Sequence, residues 1–117
     1  MKTADCPVAR TLDLVGEWWT LLILRDALGG VKRFSEFQQS LGMAKNILAA
    51  RLRKLVDNGI LELKPASDGS AYQEYVITEK GRSLSGVVEA LRDWGEKHLA
   101  DEDSPSRRKR TAKALRP

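Results

Sequence analysis

A chain of 117 residues, 42% hydrophobic, 31% charged and with a formal net charge of +4, supports one domain with a modest core. No apolar run approaches the roughly 20 residues of a membrane helix, and the first residues lack the basic-then-apolar order of a secretory leader. One cysteine and one histidine give no internal disulfide, too few ligands for a zinc site and no catalytic triad, so the expectation is a cytoplasmic protein with no membrane partner, metal, cofactor or enzymatic activity.

Residues 1–5 read as a frayed start. Cys6-Pro7 opens a first helix, since proline at the first helical position loses no needed N–H. Val8, Leu12 and Val15 follow at helical spacing, and Gly16 ends the segment. Trp18 to Leu28 is apolar almost all round, which places that helix at the centre of the core. Gly29-Gly30 stops it. A short helix is expected over Ser35–Leu41, with Ser35 and Gln38 as a capping box, Phe34 as the staple and Gly42 as the stop.

The fourth helix spans 45–57. Leu48, Leu52, Leu55 and Val56 form its apolar stripe. Asn46, Ala50, Arg53 and Lys54 project from the other side, with Lys45 and Arg51 on the flanks. The period then changes to two. Leu61 and Leu63 alternate with Glu62 and Lys64, Ser67-Asp68-Gly69-Ser70 is a turn, and a return strand runs from Gln73 to Ile77 with Tyr75 and Ile77 inward. Thr78 caps a last helix to about Leu99. Its stripe of Leu84, Val87, Val88, Leu91 and Trp94 exceeds what so small a domain needs. The segment 101–117, with six basic and three acidic residues, reads as a charged, disordered tail beyond a folded part of residues 1–100.

No acid occurs between Glu36 and Asp57, while Lys45, Arg51, Arg53 and Lys54 lie in that interval. From charge alone the alternatives are a phosphate-facing surface and a solvated helix face. The order of elements selects the first: a short capped helix, a tight turn, a basic amphipathic helix and a hairpin make a mainly α winged helix-turn-helix. Its partner is double-stranded DNA, with the 45–57 helix in the major groove and the 62–76 wing along the backbone or minor groove. Asn46 can bond adenine, Arg51 and Arg53 guanine or phosphate, and Ala50 a thymine methyl. Lys45 and Lys54 are phosphate clamps. Arg33 and Ser35, before and within the short helix, and Lys64, Ser70, Tyr72 and Gln73 on the wing complete the DNA-binding candidates. The competing reading is a winged-helix scaffold for protein partners.

Several strings resemble the HxlR-type regulators, a branch of the MarR-like winged-helix proteins: CPVARTLDLVGEWWTLLILRDAL from Cys6, RFSEF from Arg33, LAARLRKLVDNGIL from Leu48, EYVITEKG from Glu74, and the late Trp94. The resemblance covers about residues 6–99. It implies a homodimeric bacterial transcription factor, more often a repressor, in which each protomer reads half of a near-palindrome. The dimer surface would use Val8, Leu12 and Val15 with Leu84, Val87, Leu91 and Trp94. Ala44 departs from the serine many members carry there, at a cost of about 1 kcal/mol of helix capping, and Ser70-Ala71 replaces wing prolines. Cys6 falls where some members carry a thiol that senses oxidants or electrophiles. A helix N-terminus favours the thiolate and Asp5 opposes it, which makes Cys6 the redox-sensing candidate. A small-molecule effector is the other candidate partner, with Trp18 and Trp19 as wall residues.

Overall fold

In the computed structural model, which describes residues 6–99, six helices and one hairpin follow one another as α1 (Pro7–Val15), α2 (Trp18–Leu28), α3 (Phe34–Leu41), α4 (Lys45–Asp57), β1 (Leu61–Pro65), β2 (Gln73–Ile77), α5 (Glu79–Arg82) and α6 (Ser85–Leu99). They fall into two units that divide between Ser85 and Gly86. The tail at 101–117 and the frayed start at 1–5 lie outside the described residues.

The first unit is built around α2. Ile23 and Leu24 are fully buried, and Glu17 caps the helix by accepting from the N–H groups of Trp19 and Thr20. Phe37 from α3 and Leu48, Leu52 and Leu55 from α4 complete the same core at zero exposure. Each buried side chain of this size is worth roughly 1.5–3 kcal/mol, so this cluster holds the two helices of the helix-turn-helix at a fixed angle. The turn between them depends on Gly42, whose φ of +68° suits a residue without a Cβ.

Three local expectations are corrected. First, α3 begins at Phe34, one residue early, and Ser35 lies inside the helix, exposed. Its N-terminus is capped by Glu36, whose carboxylate accepts from the N–H groups of Lys32 and Arg33. A charged acceptor is favoured over a hydroxyl at the positive end of a helix, and Gln38 instead donates to the Met43 carbonyl.

Second, the hairpin does not alternate cleanly. Leu61 pairs with Ile77, Leu63 with Tyr75 and Lys64 with Glu74. Leu61 is buried, but Leu63 is 40% exposed and Glu74 only 6%. On this face Leu63 is left uncovered, while Tyr75 opposite it stays half-buried. Glu74 is covered because Ser67 N–H and Arg33 gather on its carboxylate. Tyr75 meets Phe37 edge-on at 6.5 Å, and its N–H bonds the Lys32 carbonyl, so the segment before α3 lies along β2.

Third, the last helix is two. The Thr78 hydroxyl caps α5 by accepting from Gly81 N–H. The Ser83 hydroxyl donates to the Lys80 carbonyl, and Leu84 N–H bonds Gly81 O, three residues back. This i→i−3 closure and side-chain competition for a carbonyl end α5 before α6 begins. In the second unit α6 contains no buried residue. Val87, Leu91 and Trp94 lie exposed on it, and the Trp94 and His98 rings are 4.9 Å apart.

Candidate nucleic-acid interface

Burial of Leu48, Leu52 and Leu55 turns the opposite face of α4 outward. Asn46, Ala50 and Arg53, spaced four and three residues apart, share that face, with Lys45 and Ala49 beside them, and all five are exposed. Arg53 is 80% exposed, its Nε 3.9 Å from Asp57 Oδ2. At about 1.5 Å per residue the 13-residue α4 is about 20 Å long, and the two alanines thin its outer surface to the helix backbone. A smooth face with an amide, a lysine and an exposed guanidinium suits a groove about 12 Å wide.

The other basic residues of α4 are directed elsewhere. Arg51 is 30% exposed and its Nε lies 2.8 Å from Glu17 Oε1. Burial pushes the Glu17 carboxyl up, but the hydrogen bond and charge of Arg51, with the Thr20 donors, outweigh it and hold the group below the usual carboxylate range. Lys54 donates from Nζ to the Asp13 carbonyl at 2.8 Å, on the α1 side. These two cations therefore tie α4 to the helices behind it.

The wing adds a second surface. Lys64, Tyr72 and Gln73 are exposed, with Lys64 Nζ 3.7 Å from Glu62 Oε1. Arg33 is only 28% exposed and turns onto the wing: Nη2 donates to Asp68 Oδ2 at 2.6 Å, and Nε lies 3.8 Å from Glu74 Oε2. Its guanidinium sits 5.1 Å from the Tyr72 ring centroid. Asp68 Oδ1 accepts from Ser70 N–H at 2.9 Å. That backbone bond, the Ser70 hydroxyl and the Arg33 hydrogen bond hold the Asp68 carboxyl at about 2.

Sequence reading put Asn46, Ala50, Arg53 and Lys54 on one face with Lys45 and Arg51 on its flanks. The structure keeps Asn46, Ala50 and Arg53 there with Lys45 beside them, and turns Lys54 to the Asp13 carbonyl and Arg51 to Glu17. The reading missed Glu17, Asp68 and Glu74. The Asp-Gly turn marked Asp68 as local structure, but nothing in a period-two pattern marks Glu74 as buried.

Of the candidate dimer residues, Val8 and Leu12 of α1 are 68% and 55% exposed, and Val87, Leu91 and Trp94 of α6 are 40%, 53% and 58% exposed. Val15 is 1% exposed and belongs to the core of its own unit. Leu84 is half-buried and lines an open groove of about 590 Å³ with Arg10, Leu14, Lys54, Ile60 and Lys80. Neither Trp18 nor Trp19 lines that groove. Cys6 is half-exposed at the N-cap of α1. Among the described residues no three His, Cys, Asp or Glu side chains are grouped as for a metal ion, and no helix is long and apolar enough to cross a membrane.

Comparison with known proteins agrees with this geometry. The model of the HxlR-like helix-turn-helix family matches residues 14–103. The uncharacterized HTH-type transcriptional regulator Mb3122 of Mycobacterium bovis is 43% identical over 98 residues, 84% of this chain and 62% of that protein. The chain thus spans less than two thirds of that relative's length. Among solved structures, PA1607 superposes with a TM-score of 0.80 at 55% identity, covering 86% of this chain and 71% of that one. The redox regulator HypR in its reduced form superposes with a TM-score of 0.74 at 31% identity, covering 81% and 95%.

Proposed function

The chain belongs to the HxlR-like helix-turn-helix family, and we propose that it is a cytoplasmic, sequence-specific DNA-binding transcriptional regulator that acts as a homodimer and not as an enzyme. The observation that carries this reading is the exposed face of α4, on which Lys45, Asn46, Ala50 and Arg53 stand together beside the wing. A winged helix serving only as a protein scaffold has no need of that surface. The name of Mb3122, an HTH-type transcriptional regulator, supports it further.

In this mechanism Asn46 reads adenine through paired hydrogen bonds, Arg53 reads guanine or clamps phosphate, and Lys45 holds the backbone. The exposed apolar residues of the terminal helices, Val8 and Leu12 on α1 and Val87, Leu91 and Trp94 on α6, join two protomers. Two recognition helices then read half-sites about 34 Å apart, one turn of DNA. A dimer seated on a promoter excludes polymerase, so repression is the proposed direction.

The test selects tight binders from a random duplex library with the full chain, then measures them by fluorescence anisotropy across a salt series. The expected preference over scrambled DNA is at least about a thousandfold. Asn46→Ala should lose roughly tenfold or more of it, since one good bidentate pair is worth about 1–3 kcal/mol. Equal, weak binding to every duplex would refute sequence-specific regulation.

A second reading concerns control. HypR is described as a redox regulator and has been solved in reduced and oxidized forms. That supports assigning Cys6 as an oxidant- or electrophile-responsive thiol, half-exposed at a helix N-terminus. Diamide should then alter DNA affinity of the wild type and leave Cys6→Ser unchanged; an equal response in both would remove Cys6 from the mechanism.

A further inference from the structure

The acid side chains of the wing are an unexpected feature of a surface meant for a polyanion. Asp68 stands at the tip of the turn and Glu74 near its base on β2, and a phosphate backbone should be repelled by both. Both point at one cation. Arg33 bonds Asp68 at 2.6 Å, lies 3.8 Å from Glu74 and stacks on Tyr72 at 5.1 Å. It does so from the residue just before α3, where its backbone is fixed by the Glu36 cap and by the neighbouring Lys32–Tyr75 bond. Three side chains, two from the 66–72 loop and one from β2, thus converge on a side chain anchored in the helix-turn-helix.

We propose that Arg33 is a positioning residue, a latch that neutralises Asp68 and Glu74, two of the wing's three carboxylates, and fixes the wing at one angle to α4, and that it is not a phosphate contact of its own. Resting on the DNA-binding reading, this assigns a role to Arg33 that its charge alone would not suggest. A two-stranded ribbon has little stability by itself. With the 66–72 loop held to α3, Lys64 and Gln73 approach DNA in a fixed arrangement and the cost of ordering them is met before binding.

The two roles make opposite demands on Asp68. If Arg33 grips phosphate, removing Asp68 frees the guanidinium and deletes a repulsive charge, so binding tightens or stays the same. If Arg33 is a latch, removing Asp68 releases the wing, and binding weakens although the protein has become more positive. The experiment compares wild type, Arg33→Ala, Asp68→Ala and the double variant on a duplex selected from a random library by the wild type. Hydrogen exchange of the 66–72 amides is followed in each free protein.

The latch predicts at least a tenfold loss for Asp68→Ala, a similar loss for Arg33→Ala and no further loss in the double variant. Exchange should be faster in the wing in all three and unchanged in α4. Tighter or unchanged binding by Asp68→Ala overturns the latch, as does slow wing exchange in Arg33→Ala. If the wild type selects no sequence, the regulator reading fails and the proposed DNA role of Arg33 falls with it. Faster wing exchange would then separate that failure from failure of the contact itself.

Discussion

Gly81→Ala adds one methyl where the fold has no room for it. A Cβ at this position would stand 2.3 Å from the Ile60 carbonyl oxygen and 2.7 Å from Ile77 Cγ1, and real Cβ atoms essentially never approach below 3.0 Å. Ile77 can turn, but Ile60 cannot withdraw cheaply. It is 1% exposed, its N–H bonds Leu55 O at 2.9 Å, and its carbonyl accepts from Thr78 N–H at 3.1 Å. Relief must therefore move α5 off the hairpin or break one of those bonds. Overpacking costs about 1–3 kcal/mol and a lost hydrogen bond about 1 kcal/mol, so a loss of about 3 kcal/mol is expected. For a domain of this size that is roughly 12–24 °C in Tm. The assay is urea and thermal unfolding by circular dichroism at one fixed protein concentration, since self-association of the proposed kind makes stability depend on concentration. Gly86→Ala is the control: its Cβ meets nothing within 4 Å, and helix propensity predicts a gain of roughly 0.5 kcal/mol. A Gly81→Ala protein within about 0.5 kcal/mol of wild type would refute the close approach of α5 to Ile60.

Glu17→Ala should cost about 1 kcal/mol in urea unfolding, because Glu17 supplies the cap of α2, and Glu17→Asp should recover part of it. The folded Asp68 carboxyl, at about 2, lies below its ordinary 3.8, so its contribution is complete above pH 3.8 and is lost as pH falls through about 2. Protection of the 66–72 amides, taken relative to their intrinsic exchange rate at each pH, should therefore hold down to about pH 4 and fall below it; a fall between pH 7 and 5 would contradict the assignment. Leu91→Glu should weaken self-association by at least tenfold in sedimentation equilibrium, since a buried leucine is worth roughly 1.5–3 kcal/mol. An unchanged dimer would remove α6 from the interface.

Much of the architecture was legible because it rests on local rules. The bounds of α4 and β2 agree with the reading from hydrophobic period, and α1 begins at Pro7 for the reason proline allows. Gly42 and Gly69 take positive φ at the stop and the turn where the sequence placed them. The face of α4 with Asn46, Ala50 and Arg53 followed from periodicity once Leu48, Leu52 and Leu55 were given to the core. The basic residues were harder. Lys45, Arg51, Arg53 and Lys54 look alike in an acid-free stretch, yet Arg51 pairs with Glu17 and Lys54 bonds the Asp13 carbonyl.

Sequence by itself determined the order of elements, the core stripe, the turn between α3 and α4 and the family, since each depends on spacing within a few residues or on the pattern of the whole chain. Tertiary structure decided where the charges went. Arg33 meets Asp68 across 35 positions and Lys54 meets Asp13 across 41, and a long flexible cation takes whichever acceptor the fold brings within reach. It likewise decided that Glu74 is buried and that Leu63 is not, since both depend on cover that exists only after the hairpin has packed on the helices.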